Sequence, residues 1–230
     1  MNKFSEGEQL ALSLFERRKS ARAFVSDQIS DDQIHEILSL ASQAPSGGNM
    51  QPWQVNVLKS ATIRSLSETI HEAANNKNNK ADDDYQFYPL QQLEPYASRI
   101  EQSTRDMYES LGLGTRDVAQ KREEKLRNFD FFGAPVGLIL TIDRRLQKGS
   151  WIDMGIFIGY LLHAINALGL ECCVQGSFSS YGNIVRAILK LSEDNIVVCG
   201  VAIGKADPNA PINNQPRRRM ALNEFVNIHP

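Results

Sequence analysis

The residues in this chain with the strongest chemical preference are arginines gathered near its two ends. Arg17-Arg18-Lys19-Ser20-Ala21-Arg22 and Arg217-Arg218-Arg219 lie at opposite ends of 230 residues. A guanidinium presents a planar fork of donors that matches phosphate, and Ser20 adds a hydroxyl, so the two clusters brought together would cradle one phosphate or other anionic group. Taken alone they also suit a solvated basic surface with a basic tail. A second candidate is Ala44-Pro45-Ser46-Gly47-Gly48-Asn49-Met50-Gln51-Pro52-Trp53. Here two glycines let backbone approach a ligand closely, Ser46 and Asn49 supply hydrogen bonds, and Trp53 buttresses the wall. The bland reading is a turn beside a buried tryptophan. In Gln175-Gly176-Ser177 a strand gives way to glycine and leaves backbone N–H groups free to point at something.

Other chemistries lack their residues. Gly200 to Lys205 is one residue short of a phosphate-binding G-x-x-x-x-G-K-[ST] loop and lacks its hydroxyl residue. No G-x-G-x-x-G and no G-x-S-x-G occurs, which removes the simplest dinucleotide-fold and hydrolase readings. His35, His71, His163 and His229 are scattered without metal-ligand spacing, so no metal is expected. Cys172, Cys173 and Cys199 lack C-x-x-C spacing and read as reduced core residues. A formal charge of −2 gives no global field for nucleic acid or an anionic membrane. The most apolar stretch, Met154 to Leu170, is interrupted by His163 and Asn166 and falls short of the roughly 20 apolar residues of a membrane span. The N-terminus lacks the pattern of a secretion signal, so the expected location is the cytoplasm.

With 42% hydrophobic and 23% charged residues, the composition is that of an ordinary globular chain, and the length suits one large domain over 1–230. Leu10, Leu12, Leu14 and Phe15 predict a helix over Glu6–Arg18, ending in the first basic cluster. Ser30 and Gln33 form a capping box ahead of Ile34, Ile37, Leu38 and Ala41, a second helix that runs into Ala44-Pro45. Gln54–Lys59 alternates as a strand, and Ala61–Ala74 reads as helix. Asn75 to Asp84 is polar and expected to be exposed. The charged region from Pro95 to Phe129 predicts surface helices with a break near Gly112–Gly114, within a variable helical region over 75–130. Val136–Ile142 suits a central strand. Ile152–Leu168 is apolar almost all round and predicts burial on nearly every side, one of which a partner subunit could supply. Gly169 ends that helix, Glu171–Gln175 is a short strand, Tyr181–Leu189 a helix and Ile196–Ile203 another apolar strand. With Pro208, Pro211 and Pro216 ahead of the second basic cluster, residues 205–230 read as an extended C-terminal arm.

Arg18-Lys19-Ser20-Ala21-Arg22-Ala23-Phe24, followed by the Ala44–Trp53 loop, resembles in order and spacing the paired N-terminal signature of the nitroreductase family of FMN-dependent oxidoreductases. The resemblance continues through Phe132-Gly133-Ala134-Pro135, Trp151-Ile152-Asp153-Met154-Gly155, Gly169-Leu170, Gly204-Lys205 and the closing stretch from Arg217 to Leu222. It covers nearly the whole chain. It implies an α+β fold with helices around a small, mostly antiparallel sheet, and a homodimer whose C-terminal arm extends over the partner.

By the same resemblance, Arg18, Lys19, Ser20 and Arg22 contact the phosphate, ribityl chain and pyrimidine side of FMN, and Arg217 and Arg219 complete the phosphate site. Pro45, Ser46, Gly47 and Asn49 match the loop that reaches the flavin held mainly by the other subunit, which puts FMN at the subunit interface. Val174, Gln175, Gly176 and Ser177 match the segment against the isoalloxazine ring, with the backbone of Gly176 and Ser177 near N5. Many relatives carry glutamate in that segment where this chain has Gln175-Gly176, so the backbone carries the role here. Arg99 is a candidate for the mid-chain flavin contact.

The implied activity needs no catalytic side chain, because the cofactor carries the chemistry. Hydride passes from NADPH or NADH through flavin N5 to small planar acceptors, nitroaromatics or quinones, by a ping-pong mechanism. The same scaffold also suits flavin fragmentation, reductive dehalogenation, or a non-catalytic FMN-binding protein.

Overall fold

The computed structural model describes residues 4–76 and 83–229. Helix α1 spans Glu6–Arg17, where the Ser5 hydroxyl accepts from the Glu8 N–H and the Glu8 carboxylate accepts from the Ser5 N–H. The same reciprocal cap, between Ser30 and Gln33, starts α2 at Asp31–Ala41. The chain continues through β1 (Trp53–Lys59), α3 (Ser60–Asn75), α4 (Tyr96–Ser110), α5 (Val118–Leu126) and β2 (Val136–Asp143). It then forms α6 (Lys148–Ala167), β3 (Glu171–Gln175), α7 (Gly182–Leu189) and β4 (Asn195–Gly204). Gly169, with φ of 74°, ends the turn after α6, in the left-handed region that glycine enters without strain.

The four strands lie in the order β1-β2-β4-β3, and every pair is antiparallel. The central strands β2 and β4 are buried along almost their whole length, which is why they read as continuous apolar runs. One core lies under α2 and α6, with Leu138, Leu140 and Ile142 against Ile37, Phe157 and Leu161. The other holds Ile139, Val197 and Ala202 with Leu66, Ile70, Phe131, Phe178 and Val185. Strand alternation alone would send Val198 and Cys199 to opposite faces. Both join the first core, because the register between β2 and β4 shifts there: Leu140 pairs with Cys199 and Thr141 with Val197. Val198 is the extra residue of a bulge. At Gly137 and Gly200 the absence of a side chain admits Phe131 and Phe178, whose rings stack 4.7 Å apart.

Beyond the end of β3, a short stretch after the undescribed residues 77–82 takes the place of a strand beside that bulge. Asp84 accepts from the Val197 backbone at 2.7 Å, and the Tyr85 hydroxyl donates to the Val198 carbonyl at 2.7 Å. Asp84 also pairs with Arg186, both side chains being almost fully buried. This corrects the expectation that the polar stretch is exposed as far as Asp84. Residues 77–82 of that expectation lie outside the described residues. A Cβ at position 182 would collide with the Asp84 carboxylate, so the glycine that opens α7 admits the pair.

The stripe Ile152, Ile156 and Tyr160 of α6 stays exposed in the single chain, with Ile152 at 67%, so this chain leaves one side of the helix uncovered. One further expectation changes. The tail is not wholly an extended arm. Ala206 bridges to Phe24, a 3-10 turn forms at Pro211–Asn214, and Ile212 and Asn213 are buried. Only the later residues, with Leu222, Phe225 and Ile228 exposed, stand away from the core.

Candidate functional site

The stretch after α1 is laid along the free edge of β3. Ser20 forms a parallel bridge with Cys172, and the Ala21 N–H donates to the Cys172 carbonyl at 3.0 Å. That pairing fixes the basic residues on either side of Ser20, two positions upstream of Val174. The other end of the chain is joined to it by Asn213. Its Oδ1 accepts from the Arg22 N–H at 2.8 Å, its Nδ2 donates to the Ala23 carbonyl at 2.8 Å, and its own carbonyl accepts from Lys19 Nζ at 3.1 Å. Arg217 completes the clasp by donating to the carbonyls of Arg18 (2.5 Å) and Glu16 (2.6 Å) at the C-terminal end of α1. These are carbonyls that a helix end leaves without internal partners, and a cation there also suits the helix dipole.

The result is one cavity of about 700 Å³. Arg18, Lys19, Ser20, Arg22, Arg217 and Arg219 all line it, so the structure brings together the two basic clusters that sequence placed at opposite ends. Their forks and the Ser20 hydroxyl form a donor set suited to a phosphate ester. The far wall is α4, whose Ser98, Arg99, Gln102, Ser103 and Asp106 recur at helical spacing and face the cavity. Arg218 is turned to that wall. Its Nε and Nη2 donate to Asp106 at 2.7 and 3.2 Å, and Gln102 donates to Asp106 at 2.8 Å. The Arg218 hydrogen bonds, helped by Gln102, hold the Asp106 carboxyl below its ordinary range.

Val174, Gln175, Gly176 and Ser177 do not line the cavity; Val174 and Gln175 end the edge strand that Ser20 joins, and Gly176 and Ser177 follow it. The Gln175 side chain is turned inward, donating to the Asn128 carbonyl, and the residue as a whole is buried. Gly176 and Ser177 open a 3-10 turn, whose first N–H groups have no partner within the turn. The Phe87 ring packs against Gly176, where a Cβ would lie 2.6 Å from it. Pro45, Ser46, Gly47 and Asn49 are also away from the cavity. The Gly47 N–H donates to Asp153 in the first turns of α6 at 3.1 Å, and Ser46 Oγ accepts from the Gln51 N–H at 2.9 Å. Gly48, Asn49 and Gln51 have φ of 58°, 57° and 49°, so the loop carries its Asn in a left-handed turn held from α6.

The thiols beside the site are buried, which disfavours the thiolate form. Burial pushes Cys172 up to about 12 despite the nearby Arg18, and raises Cys173 against the pull of Arg22 and Arg18. Asn213, Asp106, Asp84 and Phe87 went unnoticed in the sequence. A lone Asn in a tail and a lone Asp on a charged helix carry no signal there. The polar stripe of α4 does carry one, but it reads equally as a solvated face.

The protein-family model described as Nitroreductase family matches residues 15–205. A 4-nitrobenzoate reductase of Pseudomonas putida is 36% identical over 211 residues, 92% of each chain. A nitrobenzene nitroreductase of Ectopseudomonas oleovorans is 34% identical, over 93% of this chain and 94% of that one. The crystal structure of the FMN- and NADPH-dependent nitroreductase NfnB from Sphigopyxis sp. strain HMH superposes with a TM-score of 0.92 at 32% identity, covering 96% of this chain and 99% of the other. With the family model spanning most of the chain and the α+β fold shared almost end to end, this chain belongs to the nitroreductase family.

Proposed function

We propose that the protein is an FMN-dependent NAD(P)H oxidoreductase that reduces nitroaromatics and similar planar acceptors. The observation that carries this reading is the convergence of Arg18, Lys19, Ser20, Arg22 and Arg219 on one cavity beside the free edge of β3. The donor set fits FMN: cations and a hydroxyl for its phosphate at one end, and backbone N–H groups along an adjacent edge for its ring. The names of the relatives agree with it.

When bound, FMN would supply the redox chemistry between a nicotinamide donor and the acceptor. The chain supplies binding and orientation. Arg18, Lys19 and Arg219 hold the phosphate, with Arg217 holding the two ends of the chain together behind them. Arg22, whose backbone is fixed by Asn213 and whose carbonyl accepts from Arg127 at 3.0 Å, places a cation on the pyrimidine side, where negative charge gathers on reduction. The backbone N–H groups of Gly176 and Ser177 would be the donors offered to N5 of the ring. Pro45, Ser46, Gly47 and Asn49, braced by Asp153, close over the ring held by a second copy of the chain, and the exposed stripe Ile152, Ile156 and Tyr160 supplies apolar surface for that homodimer. Donor and acceptor use the same open face in turn, which gives ping-pong kinetics.

The test is the absorption spectrum of purified protein before and after anaerobic addition of NADPH or NADH, then of 4-nitrobenzoate. Yellow protein that bleaches with donor and regains colour with acceptor is the expected result. Colourless protein that ignores added FMN, or a flavin that neither donor bleaches, overturns the reading.

A further inference from the structure

The cavity holds more positive charge than one mononucleotide phosphate neutralises. Seven cationic side chains line it, against the carboxylates of Asp106 and Glu224. Arg218 is neutralised by Asp106, while Arg217, Lys19 and Arg219 donate to backbone carbonyls and keep their full charge. Arg18, Lys19, Arg22, Arg99, Arg217 and Arg219 are therefore opposed in the cavity by Glu224 alone. A phosphate monoester brings about two negative charges. Arg99 belongs to the wall opposite the clasp and forms no ion pair among the described residues; its guanidinium lies 5.9 Å from the centre of the Tyr96 ring on its own helix. Ser103, one helical turn on, adds a hydroxyl to the same wall. Cations gathered without anions repel one another, and a cleft lined by one sign of charge concentrates ligands of the other.

We infer that the α4 wall is a second phosphate subsite, with Arg99 as its cation and Ser103 as its neutral donor, and that it takes a phosphate of the nicotinamide dinucleotide. This rests on the function proposed above. It moves Arg99 from a flavin contact to a donor contact. Two groups of the donor share the required chemistry, the 2′-phosphate that distinguishes NADPH from NADH and the pyrophosphate that both carry. Either is bound through charge-assisted hydrogen bonds from the Arg99 fork, a geometry that lysine reproduces only as a point charge.

The experiment is calorimetric titration of the FMN-loaded protein with adenosine 2′,5′-bisphosphate and with ADP, for wild type, Arg99→Gln and Arg99→Lys. It is paired with kcat/KM for NADPH and NADH. The inference expects Arg99→Gln to weaken one probe about tenfold or more and Arg99→Lys to restore part of the loss, with FMN content unchanged. Weakening of the bisphosphate with a matching fall in the NADPH to NADH ratio assigns the 2′-phosphate. Weakening of ADP with both donors impaired alike assigns the pyrophosphate. Two unchanged probes overturn the inference, as does FMN loss from Arg99→Gln with probe binding intact, which returns Arg99 to the flavin. Failure of the underlying function appears separately, as wild-type protein whose flavin no nicotinamide donor reduces.

Discussion

Two aspartate–arginine pairs in this molecule use the same chemistry for different ends. Asp84 and Arg186 are 4% and 6% exposed, with Arg186 Nη1 donating to both carboxylate oxygens at 2.7 and 2.6 Å. Asp106 is buried to a similar degree, but its partner Arg218 is 64% exposed at the mouth of the cavity. In the first pair both charges have left water, and the cost is offset by further hydrogen bonds, from the Val197 N–H to Asp84 and from Arg186 to the Asn195 carbonyl. The pair joins α7, the β4 bulge and the segment that carries Phe87 to Gly176. In the second pair the guanidinium keeps its water, and the bond orients a binding wall. Burial of both partners makes the pair part of the fold; burial of one leaves it adjustable.

The largest expected effect follows from breaking the buried pair. Asp84→Ala leaves the buried Arg186 with only the solvent-exposed Glu193, 3.4 Å from its Nε, as counter-charge and frees the Val197 N–H, and removing one partner of a buried pair costs about 3–5 kcal/mol. Urea unfolding should show that loss with an unchanged m-value. A loss no larger than that of Arg218→Gln erases the distinction between the pairs. The next effect concerns the cavity. Arg219→Ala removes a charged donor from the phosphate end, and a hydrogen bond to a charged group contributes about 1.5–3 kcal/mol. FMN should dissociate on gel filtration while the unfolding curve of the flavin-free protein stays where it was. Unchanged FMN retention removes Arg219 from the phosphate site.

The same contrast explains what was legible in the sequence. Ser30 and Gln33, Gly169 and the apolar runs of β2 and β4 declare themselves within a few residues, because caps and strand burial are local. The pairing of Arg18 with Arg217 across the chain was readable from shared chemistry and from the family motifs, since both clusters want one anion. Asp84 and Arg186 stand 102 residues apart and meet beside the bulge at Val198, which nothing in the local pattern marks. Asn213 lies in a tail that reads as an arm because its prolines are visible and its buried contacts are not. The exposed stripe of α6 has the opposite cause. Sequence shows how apolar a helix is, not whether its last face is covered by this chain or by another.

Smaller effects test the adjustable pair. Arg218→Gln keeps a donor toward Asp106 but removes the charge, and because the guanidinium is mostly solvated the expected change in FMN affinity is about two- to fivefold. A loss as large as that of Arg219→Ala would mean that Arg218 contacts the phosphate directly instead of orienting α4.

The pH dependence of that pair gives the smallest effect and the finest discrimination. The Arg218 hydrogen bonds lower the Asp106 carboxyl in the folded state. A carboxyl lowered on folding contributes stability that is fully present above its unfolded value, about 3.9, and is lost as pH falls through the folded one. The gap in Tm between wild type and Arg218→Gln should therefore stay constant from pH 8 to pH 5 and close only below about pH 4. Arginine keeps its charge over that whole range, so the closing reports protonation of the carboxylate alone. A gap that already narrows between pH 7 and pH 6 would point to a group of histidine-like acidity at the α4 wall and would detach the effect from Asp106.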